Sequence, residues 1–509
     1  MKHVALLVVA ACHSATAPTP VTAPPPSPER AKIEALAEAE IAAHHAVGMT
    51  IAVARGDQLV VANGYGFADA ARRVPATIDT VYRIGSVTKQ FTAVAILQLV
   101  EQGKLALTDD VRKYVPAYPA HDPAITIDQL LTHTSGIPTY TDGDWIDAGQ
   151  HPLTHAQVLA RFATKPLEFA PGTAWSYSNS NYYLLGLVIE RVTGSSYGDA
   201  VRERVLVPAG MTHSGACDSP QLAHGYATAE GPVDAIPFDN GPPFAAGALC
   251  STALDLVAWQ RALEHGVVLS PASLAKMRTS AVLSTGKPAG YGYGVFVAER
   301  EGHPRIEHGG AINGFISELS RYPKDDVTVV VLANTEGRTP SKVEAQISTV
   351  VLGLSPVPVR QGKPLAEAER VAYTGTFDLE MDGQHVDVRV FTDGDKLRTQ
   401  LHGQPAITML YQGERTFTLD MDEPVKIVFA ADLARFTIFQ HGHEVEVKRV
   451  AAETVNTGKP LPAAERAAYV GKYDLEMHGQ HVAVRVFVEG DALRSQIQGQ
   501  PPVTMLYQG

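Results

Sequence analysis

The sequence is poor in cysteine, in basic residues and in long apolar runs, and each shortage argues against a class of protein. Only 3 of its 509 residues are cysteine, too few for a small scaffold held together by disulfides. Acidic residues outnumber basic ones by 54 to 42, for a net charge of −12. That balance argues against nucleic acid or an anionic membrane surface as the main partner. No stretch reaches the roughly 20 apolar residues of a membrane-spanning helix.

The chain is nevertheless long and apolar enough for several folded domains. Hydrophobic residues make up 45% of the sequence, enough for a sizeable core. A prior of about 150 residues per domain suggests about three domains.

The N-terminus has the composition of a targeting segment. A basic start, Met1–His3, precedes the short apolar run 4–11, and "VAAC" ends at Cys12. Residues 1–12 thus resemble a bacterial lipoprotein signal, which implies export to the cell envelope or periplasm and a lipid anchor on Cys12. A plain signal peptide cleaved nearby is the alternative. The Pro-rich residues 13–28 are typical of a tether that forms no core.

The two other cysteines leave two interpretations open. In an oxidising compartment Cys217 and Cys250 could form a disulfide, but buried free thiols are common and spacing alone does not decide. Cysteine spacing shows no zinc pattern. The cluster "HGHE" (441–444) has no further ligand pattern. We therefore expect no zinc at either place, and no metal or cofactor is expected elsewhere.

Residues 29–355 alternate between helical and strand patterns. Strand pairs are predicted in 51–66, around an Arg-Gly-Asp turn, and in 314–335, around a Pro-Lys-Asp-Asp turn. Helices are predicted over 87–102, closed by Gly103, and over a segment that ends near Gly194. Helices in the middle and antiparallel strands at both ends indicate an α+β domain.

The C-terminal region contains an internal repeat. Residues 458–509 realign on 362–413, and both copies alternate apolar and polar residues, as in "HVDVRVF" and "HVAVRVF". This period is typical of half-buried strands. We predict two small antiparallel β domains, 362–450 and 458–509. The second copy stops where the first continues, so we expect a chain that ends prematurely or a poorly ordered final segment.

The first motif with chemical potential is Ser86-x-x-Lys89, at the start of an apolar helix. Residues three apart share one face of a helix. A serine hydroxyl needs a base to become a nucleophile, and a desolvated lysine can be that base. The same spacing recurs at Ser273 and Lys276 behind Ser270-Pro271, where we predict an ordinary amphipathic helix.

Two further motifs supply groups that could assist. Tyr177-Ser178-Asn179 is the only Tyr-x-Asn in the chain. A phenol near an ammonium group ionises more easily and can act as base and acid, whereas the alternative is a loop that merely caps the next helix. His308-Gly309-Gly310 falls near the end of a predicted strand, where small residues let a substrate approach and a free edge could pair with it. A second His-x-Gly, at 213–215, is set in a loop and carries no assignment.

The order Ser-x-x-Lys, Tyr-x-Asn, His-x-Gly resembles the serine β-lactamase-related hydrolases. This family includes class C β-lactamases, DD-peptidases, D-aminopeptidases and lactamase-fold esterases. The likeness covers about residues 30–354, and includes "LLTHTSGIP", "PGTAWSYSN" and "HGGAINGF". It implies a β-lactamase/DD-peptidase-like domain, with an antiparallel sheet flanked by helices and a helical subdomain.

The resemblance also implies residue roles. Ser86 becomes acylated, Lys89 and Tyr177 shuttle its proton, and Asn179 positions the substrate amide. The oxyanion hole consists of the backbone N–H groups of Ser86 and Ala311. Besides the backbone of Ser86, the positions that the resemblance implies for substrate binding and the oxyanion are Asn179, His308, Gly309, Gly310 and Ala311.

One position departs from class C β-lactamases, which carry lysine where His308 stands. Histidine is mostly neutral at pH 7, so the carboxylate of a β-lactam is a poorer ligand for it. We therefore expect a serine hydrolase acting on an ester or a D-amino-acid amide or peptide, with a small-molecule or cell-wall-derived peptide substrate. The alternatives are a weak β-lactamase or penicillin-binding DD-peptidase, and a catalytically silent envelope-binding module. Loops 139–150 and 235–244 are expected to set specificity, and the oligomeric state stays open.

Overall fold

The computed structural model describes residues 27–354, 362–451 and 469–504, apart from short gaps. The gaps are 122, 144, 230, 382–383, 395, 402–405, 421–424, 441–442, 478–479, 490–491 and 498–502. The predicted signal, with Cys12, lies outside the described residues, as do nearly all of the linker and part of the "HGHE" cluster. Pro28, assigned above to the linker, is instead the first residue of a helix capped by Ser27. The chain divides into two compact units, residues 1–358 and 359–509.

The first unit is built on an antiparallel seven-stranded sheet in the order β3-β2-β1-β11-β10-β9-β8. Two short strand pairs, β4 with β7 and β5 with β6, accompany it. The strands are β1 (Gly48–Arg55), β2 (Gln58–Asp69), β3 (Val74–Pro75), β4 (Tyr82–Arg83), β5 (Tyr226–Thr228), β6 (Val233–Asp234), β7 (Cys250–Ser251), β8 (Phe296–Arg300), β9 (His303–Ile312), β10 (Phe315–Tyr322) and β11 (Val327–Ala333).

Helices cover both faces of this sheet. They are α1 (Pro28–Ala42), α2 (Thr88–Glu101), α3 (Ile127–Leu131), α4 (Trp145–Ala148), α5 (His155–Ala160), α6 (Asn179–Thr193), α7 (Tyr197–Val201), α8 (Phe244–Gly247), α9 (Ala253–Glu264), α10 (Pro271–Met277) and α11 (Thr339–Leu352). Helices α1 and α11 pack on one face, against Ile51 and Val53 of β1. The central helices pack on the other, against Ala52 and Leu332. Successive side chains of a strand point to opposite faces, so helices on both faces bury nearly every side chain of β1 and β11.

The local predictions for this unit are confirmed with small shifts at the ends. Both strand pairs form as antiparallel neighbours, β1 with β2 and β10 with β11. Helix α2 is almost wholly buried and ends before Gly103, whose φ is +66°. The second Ser-x-x-Lys lies on α10, which buries Leu274 and Met277 and leaves Lys276 exposed.

The second unit confirms the prediction of small antiparallel β domains. Helix α12 (Glu367–Tyr373) precedes a closed eight-stranded barrel, and a four-stranded sheet, β20-β21-β22-β23, follows it. The barrel core contains the aromatic rings of Phe377, Phe417 and Phe429. The strands are β12 (Gly375–Met381), β13 (Gln384–Asp393), β14 (Lys396–Leu401), β15 (Ile407–Gly413), β16 (Thr416–Leu419), β17 (Lys426–Phe429), β18 (Arg435–Gln440), β19 (His443–Ala451), β20 (Gly471–Met477), β21 (Gln480–Glu489), β22 (Ala492–Ile497) and β23 (Val503–Thr504).

Among the described residues, no helix is both long and apolar enough to cross a membrane.

Candidate active site

Ser86 lies in a single 3₁₀ turn, Gly85–Val87, that leads directly into α2. Gly85 has a φ of +48°, and a Cβ there would lie 2.8 Å from the Ala311 nitrogen. Only glycine combines this backbone conformation with so close an approach. The turn therefore rests against β9, and Ser86 is its one partly exposed residue.

Lys89 has no exposed surface, and its ammonium group donates three hydrogen bonds. Its Nζ donates to Ser86 Oγ at 3.0 Å, to Asn179 Oδ1 at 2.8 Å and to the Ala246 carbonyl at 2.8 Å. Nζ also lies 4.8 Å from the centre of the Tyr177 ring. All these partners are neutral. Burial therefore acts unopposed and lowers the pKa of Lys89 well below its ordinary value.

Tyr177 lies beside both Ser86 and Lys89. Its phenol and the Ser86 side chain are hydrogen-bonding neighbours. Burial raises the pKa of Tyr177, and the bond with Ser86 offsets only part of that rise. A nearby lysine is expected to make this phenol easier to ionise, but burial has the larger effect and makes ionisation harder. In this arrangement Lys89 is the more available base.

Asn179 begins α6, and both ends of its amide are engaged. Its Oδ1 accepts from Lys89, and its Nδ2 donates to Thr141 Oγ1 at 3.2 Å. The expected role was to position a substrate amide. That role stays a prediction, and in this structure the side chain links Lys89 to the loop that contains Thr141.

His308 is also buried, and hydrogen bonds occupy both of its ring nitrogens. Nδ1 lies 2.6 Å from the Gly309 carbonyl oxygen, which can only accept, so Nδ1 carries the proton. Nε2 is then the acceptor for the Tyr291 hydroxyl at 2.9 Å. Burial and the charge of Lys89 lower the pKa of His308 to about 3. The ring is therefore neutral and is held by protein groups.

The strand that carries His308 borders the nucleophile turn. A Cβ on Gly310 would lie 2.0 Å from the Ile84 carbonyl oxygen and 2.5 Å from Ser317 Oγ. Ser317 Oγ itself donates to the Ile84 carbonyl at 2.8 Å. The absence of a side chain at Gly310 is therefore what lets β9 lie against the turn.

One edge of β9 is open beside the site. Strand β8 pairs with β9 only as far as Glu307, whereas β10 pairs with residues 306–312. Ala311 is exposed. Within the described residues, the segment 308–312 thus has a strand partner on one side, the side of β10.

Cys217 and Cys250 form a disulfide with a Cα–Cα distance of 5.2 Å, which resolves the choice that their spacing left open. Cys250 belongs to β7 and pairs with Arg83, three residues before the nucleophile. The crosslink therefore fixes the segment that leads into Ser86.

The two loops expected to set specificity contact each other. The Phe238 and Trp145 rings are 5.2 Å apart, and the Asp239 N–H donates to the Gly149 carbonyl at 2.8 Å. The first loop also holds Asn179 through Thr141. Arg83 donates to the Phe238 carbonyl, so both loops are joined to segments that carry catalytic candidates.

Sequence reasoning missed two buried residues at this site, His133 and Tyr291. Their rings lie 4.8 Å apart, and the His133 ring lies 4.5 Å from that of Tyr177. His133 stands inside "LLTHTSGIP", but neither periodicity nor spacing assigned it chemistry. For metals, no group of three or more His, Cys, Asp or Glu suited to an ion occurs in the described part of the chain.

Comparison with known proteins gives matches over the first unit and beyond. A family model described as Beta-lactamase matches residues 33–351. Penicillin-binding protein 4* of Bacillus subtilis (strain 168) is 26% identical over 435 residues, which is 80% of this chain and 95% of that protein.

Solved structures with the same fold include the octameric penicillin-binding protein homologue from Pyrococcus abyssi. It is 26% identical, with a TM-score of 0.59, over 82% of this chain and 99% of that one. A D-stereospecific amidohydrolase from Streptomyces sp. is 28% identical, with a TM-score of 0.56, over 64% of this chain and 100% of that one.

Proposed function

The chain belongs to the beta-lactamase family of serine hydrolases, and we propose that its Ser86 forms an acyl-enzyme with an ester or with the amide of a D-amino acid or peptide. The observation that carries this proposal is the position of the Ser86 hydroxyl. It lies 3.0 Å from the amine of Lys89 and beside the phenol of Tyr177. A nucleophile within hydrogen-bond reach of its base is the arrangement that covalent catalysis needs.

The first step uses the unprotonated fraction of Lys89. Ser86 Oγ attacks the carbonyl carbon, its proton passes to Nζ, and the carbonyl electron pair becomes an oxyanion. When the tetrahedral intermediate collapses, the bond to the leaving group breaks. The leaving alcohol or amine then takes the proton from Lys89 through Tyr177. Water hydrolyses the acyl-enzyme by the same steps in reverse order.

The oxyanion would be bound by the backbone N–H groups of Ser86 and Ala311. The support is the close contact of the two segments, which Gly85 and Gly310 make possible. One such donor is typically worth about 3–4 kcal/mol of the barrier. The open edge at 308–312 could pair with an extended substrate beside it.

Two observations bear on the substrate. A D-stereospecific amidohydrolase shares the fold at 28% identity, which favours D-amino-acid amides. His308 is neutral and has both nitrogens engaged, so it offers no cation to a substrate carboxylate. Esters and amides without a carboxylate at that position should therefore be preferred over β-lactams.

The second candidate is a weak β-lactamase or penicillin-binding DD-peptidase. Its support is the description of Penicillin-binding protein 4*, which aligns with 80% of this chain. A silent binding module is disfavoured by the intact hydrogen bonds from Lys89 to Ser86 and Asn179.

Export and lipidation of Cys12 remain proposals, supported by the apolar run 4–11 and the "VAAC" that ends at this cysteine. A cell-wall-derived peptide would then be a suitable substrate. Mass spectrometry of the protein from membranes tests the anchor. An unmodified chain that still begins at Met1 would contradict it.

Replacement of the nucleophile tests the proposed function. Hydrolysis should be measured on nitrophenyl esters, D-alanyl peptides and a chromogenic cephalosporin, together with covalent labelling by a serine-directed probe. We expect Ser86→Ala to lose labelling and at least about 10³-fold in rate. Ser273→Ala, in the second Ser-x-x-Lys, is the matched control and should stay active. Retained labelling in Ser86→Ala would falsify the assignment.

A further inference from the structure

His133 is a fully buried histidine that forms hydrogen bonds with the residues on both sides of Tyr177. Its backbone carbonyl accepts from the Ser176 N–H at 3.1 Å. Its ring Nδ1 accepts from the Ser178 N–H at 3.2 Å. The residues before and after Tyr177 are therefore both bonded to the same residue.

The rings themselves are also in contact. The His133 ring centre lies 4.5 Å from that of Tyr177, and the rings of Tyr182 and Tyr291 pack on it at 5.1 and 4.8 Å. Two backbone bonds and a ring contact leave the phenol little freedom to move relative to Ser86.

The bond from Ser178 specifies the form of the imidazole. A backbone N–H can only donate, so Nδ1 must be unprotonated. The Asn181 amide, 3.1 Å from Nδ1, is a second donor, and its oxygen accepts from Ser135. Burial and the charge of Lys89 lower the pKa of His133 well below its usual value, which agrees with a neutral ring.

The other ring nitrogen of His133, Nε2, forms no such hydrogen bond in the described part of the chain. Nε2 carries the proton of the neutral ring, is buried, and finds no hydrogen-bond partner among the described residues. An unpaired buried donor is destabilising. The backbone φ of His133 is +58°, which is also unfavourable for a residue with a side chain. Packing stability alone is a poor account of such a residue.

We propose that His133 is a positioning residue for Tyr177, and that it acts through the acceptor at Nδ1. This inference rests on the proposed function, because it assumes that Tyr177 relays the proton of Ser86. A displacement of about 1 Å in a catalytic group can reduce a rate by about 10².

Two amide substitutions separate the role of Nδ1 from that of the ring. The Oδ1 of asparagine stands as many bonds from Cα as Nδ1, and asparagine tolerates positive φ. The amide of glutamine reaches only the position of Nε2. We expect His133→Asn to keep at least about a third of kcat. We expect His133→Gln to lose about 10² in kcat, with KM changed less than about threefold.

A double-mutant cycle distinguishes positioning from a general loss of structure. In a Tyr177→Phe background, His133→Gln should add less than about a threefold further loss, because the group that it positions is gone. A merely structural role would give the same loss in both backgrounds. The exposed His265 provides the control, His265→Gln. Thermal unfolding and circular dichroism give the folded fraction for normalisation.

The outcomes are separable. Equal activity of His133→Asn and His133→Gln, or additive losses in the cycle, would overturn the role of His133 while wild-type hydrolysis persists. If the wild type shows no hydrolysis that depends on Ser86, the proposed function fails, and this inference falls with it.

Discussion

Lys89 has no exposed surface, although it carries a group that water would normally solvate. Its three acceptors satisfy the ammonium form, but none of them is charged. A neighbouring carboxylate would have raised the pKa of Lys89 and disabled it as a base. Burial with neutral partners leaves the proton removable.

A pH–rate profile tests this account of Lys89. The base must be unprotonated, so kcat/KM should rise with pH through the lowered pKa of Lys89, well below the ordinary value of 10.5. Lys89→Arg keeps the charge but cannot lose the proton, so at least about 10² in rate should be lost.

The chain offers a matched control for this prediction. Lys276→Arg changes the lysine of the second Ser-x-x-Lys, which is exposed on α10, and should leave both the profile and the rate unaltered. A Lys89→Arg enzyme with the wild-type profile would contradict the role of Lys89.

At the scale of elements, the site depends on contact between β9 and the Gly85–Val87 turn. The strand supplies Ala311 and the turn supplies Ser86, and the Ile84 carbonyl lies between them. Ser317 of β10 bonds that same carbonyl. Two consecutive strands, together with a turn far from them in sequence, therefore set the spacing of two backbone N–H groups.

A single added methyl group tests this contact. In Gly310→Ala the new Cβ would meet the Ile84 carbonyl at 2.0 Å, so the turn must move and the oxyanion donors must separate. We expect at least about a 10²-fold fall in kcat, the cost of one lost donor, measured on a nitrophenyl ester with the folded fraction determined by circular dichroism.

Gly198→Ala is the control for the added methyl group. Gly198 lies on α7, and a Cβ there meets nothing within 4 Å. This variant should keep full activity and gain up to about 1 kcal/mol of stability. Full activity in Gly310→Ala would show that the contact does not position the donors.

At the scale of the whole molecule, each of the two units has a hydrophobic core of its own. The first core surrounds buried ionisable groups, and the pKa values of His133 and His308 are lowered there mainly by burial. The unfolded chain returns both rings to water. The stability of this unit must therefore depend on pH.

The sign follows from proton binding. The pKa of His308 is about 3 when folded and about 6.5 when unfolded. Between these values the unfolded state binds more protons, so stability is lost as the pH falls from 6.5 towards 3. From pH 7 to pH 5 the share of His308 is about 2 kcal/mol.

Denaturant titrations at pH 7 and pH 5 check this prediction. The wild type should lose more stability than His308→Asn, by about 2 kcal/mol, because asparagine does not titrate. An equal loss in both proteins would mean that His308 is not neutralised by burial.

Much of the fold and the identity of the central side chains could be predicted from the sequence. The alternation around the Arg-Gly-Asp turn predicts the strands β1 and β2, and Gly103 marks the end of α2. Ser86 and Lys89 share a helical face because they stand three residues apart. The repeat in 362–413 and 458–509 predicts the strands of the second unit, since a period of two is local information.

Other features needed the tertiary structure. The resemblance implies that Asn179 and His308 face substrate, which stays a prediction. Only the structure shows that Asn179 bonds Lys89 and Thr141, and that His308 bonds Tyr291. Nothing in the sequence indicates the role proposed for His133, because the partners of its ring lie more than forty residues away along the chain.

The sequence alone determined which segments become helices and strands, and which residue types could carry nucleophilic chemistry, because periodicity and spacing are properties of neighbours along the chain. Only the tertiary structure decided that Lys89 is buried among neutral acceptors, that His308 is held neutral, that Cys217 pairs with Cys250, and that His133 faces Tyr177. Desolvation and hydrogen bonding depend on what surrounds a side chain in space, and that environment exists only after distant segments have packed together.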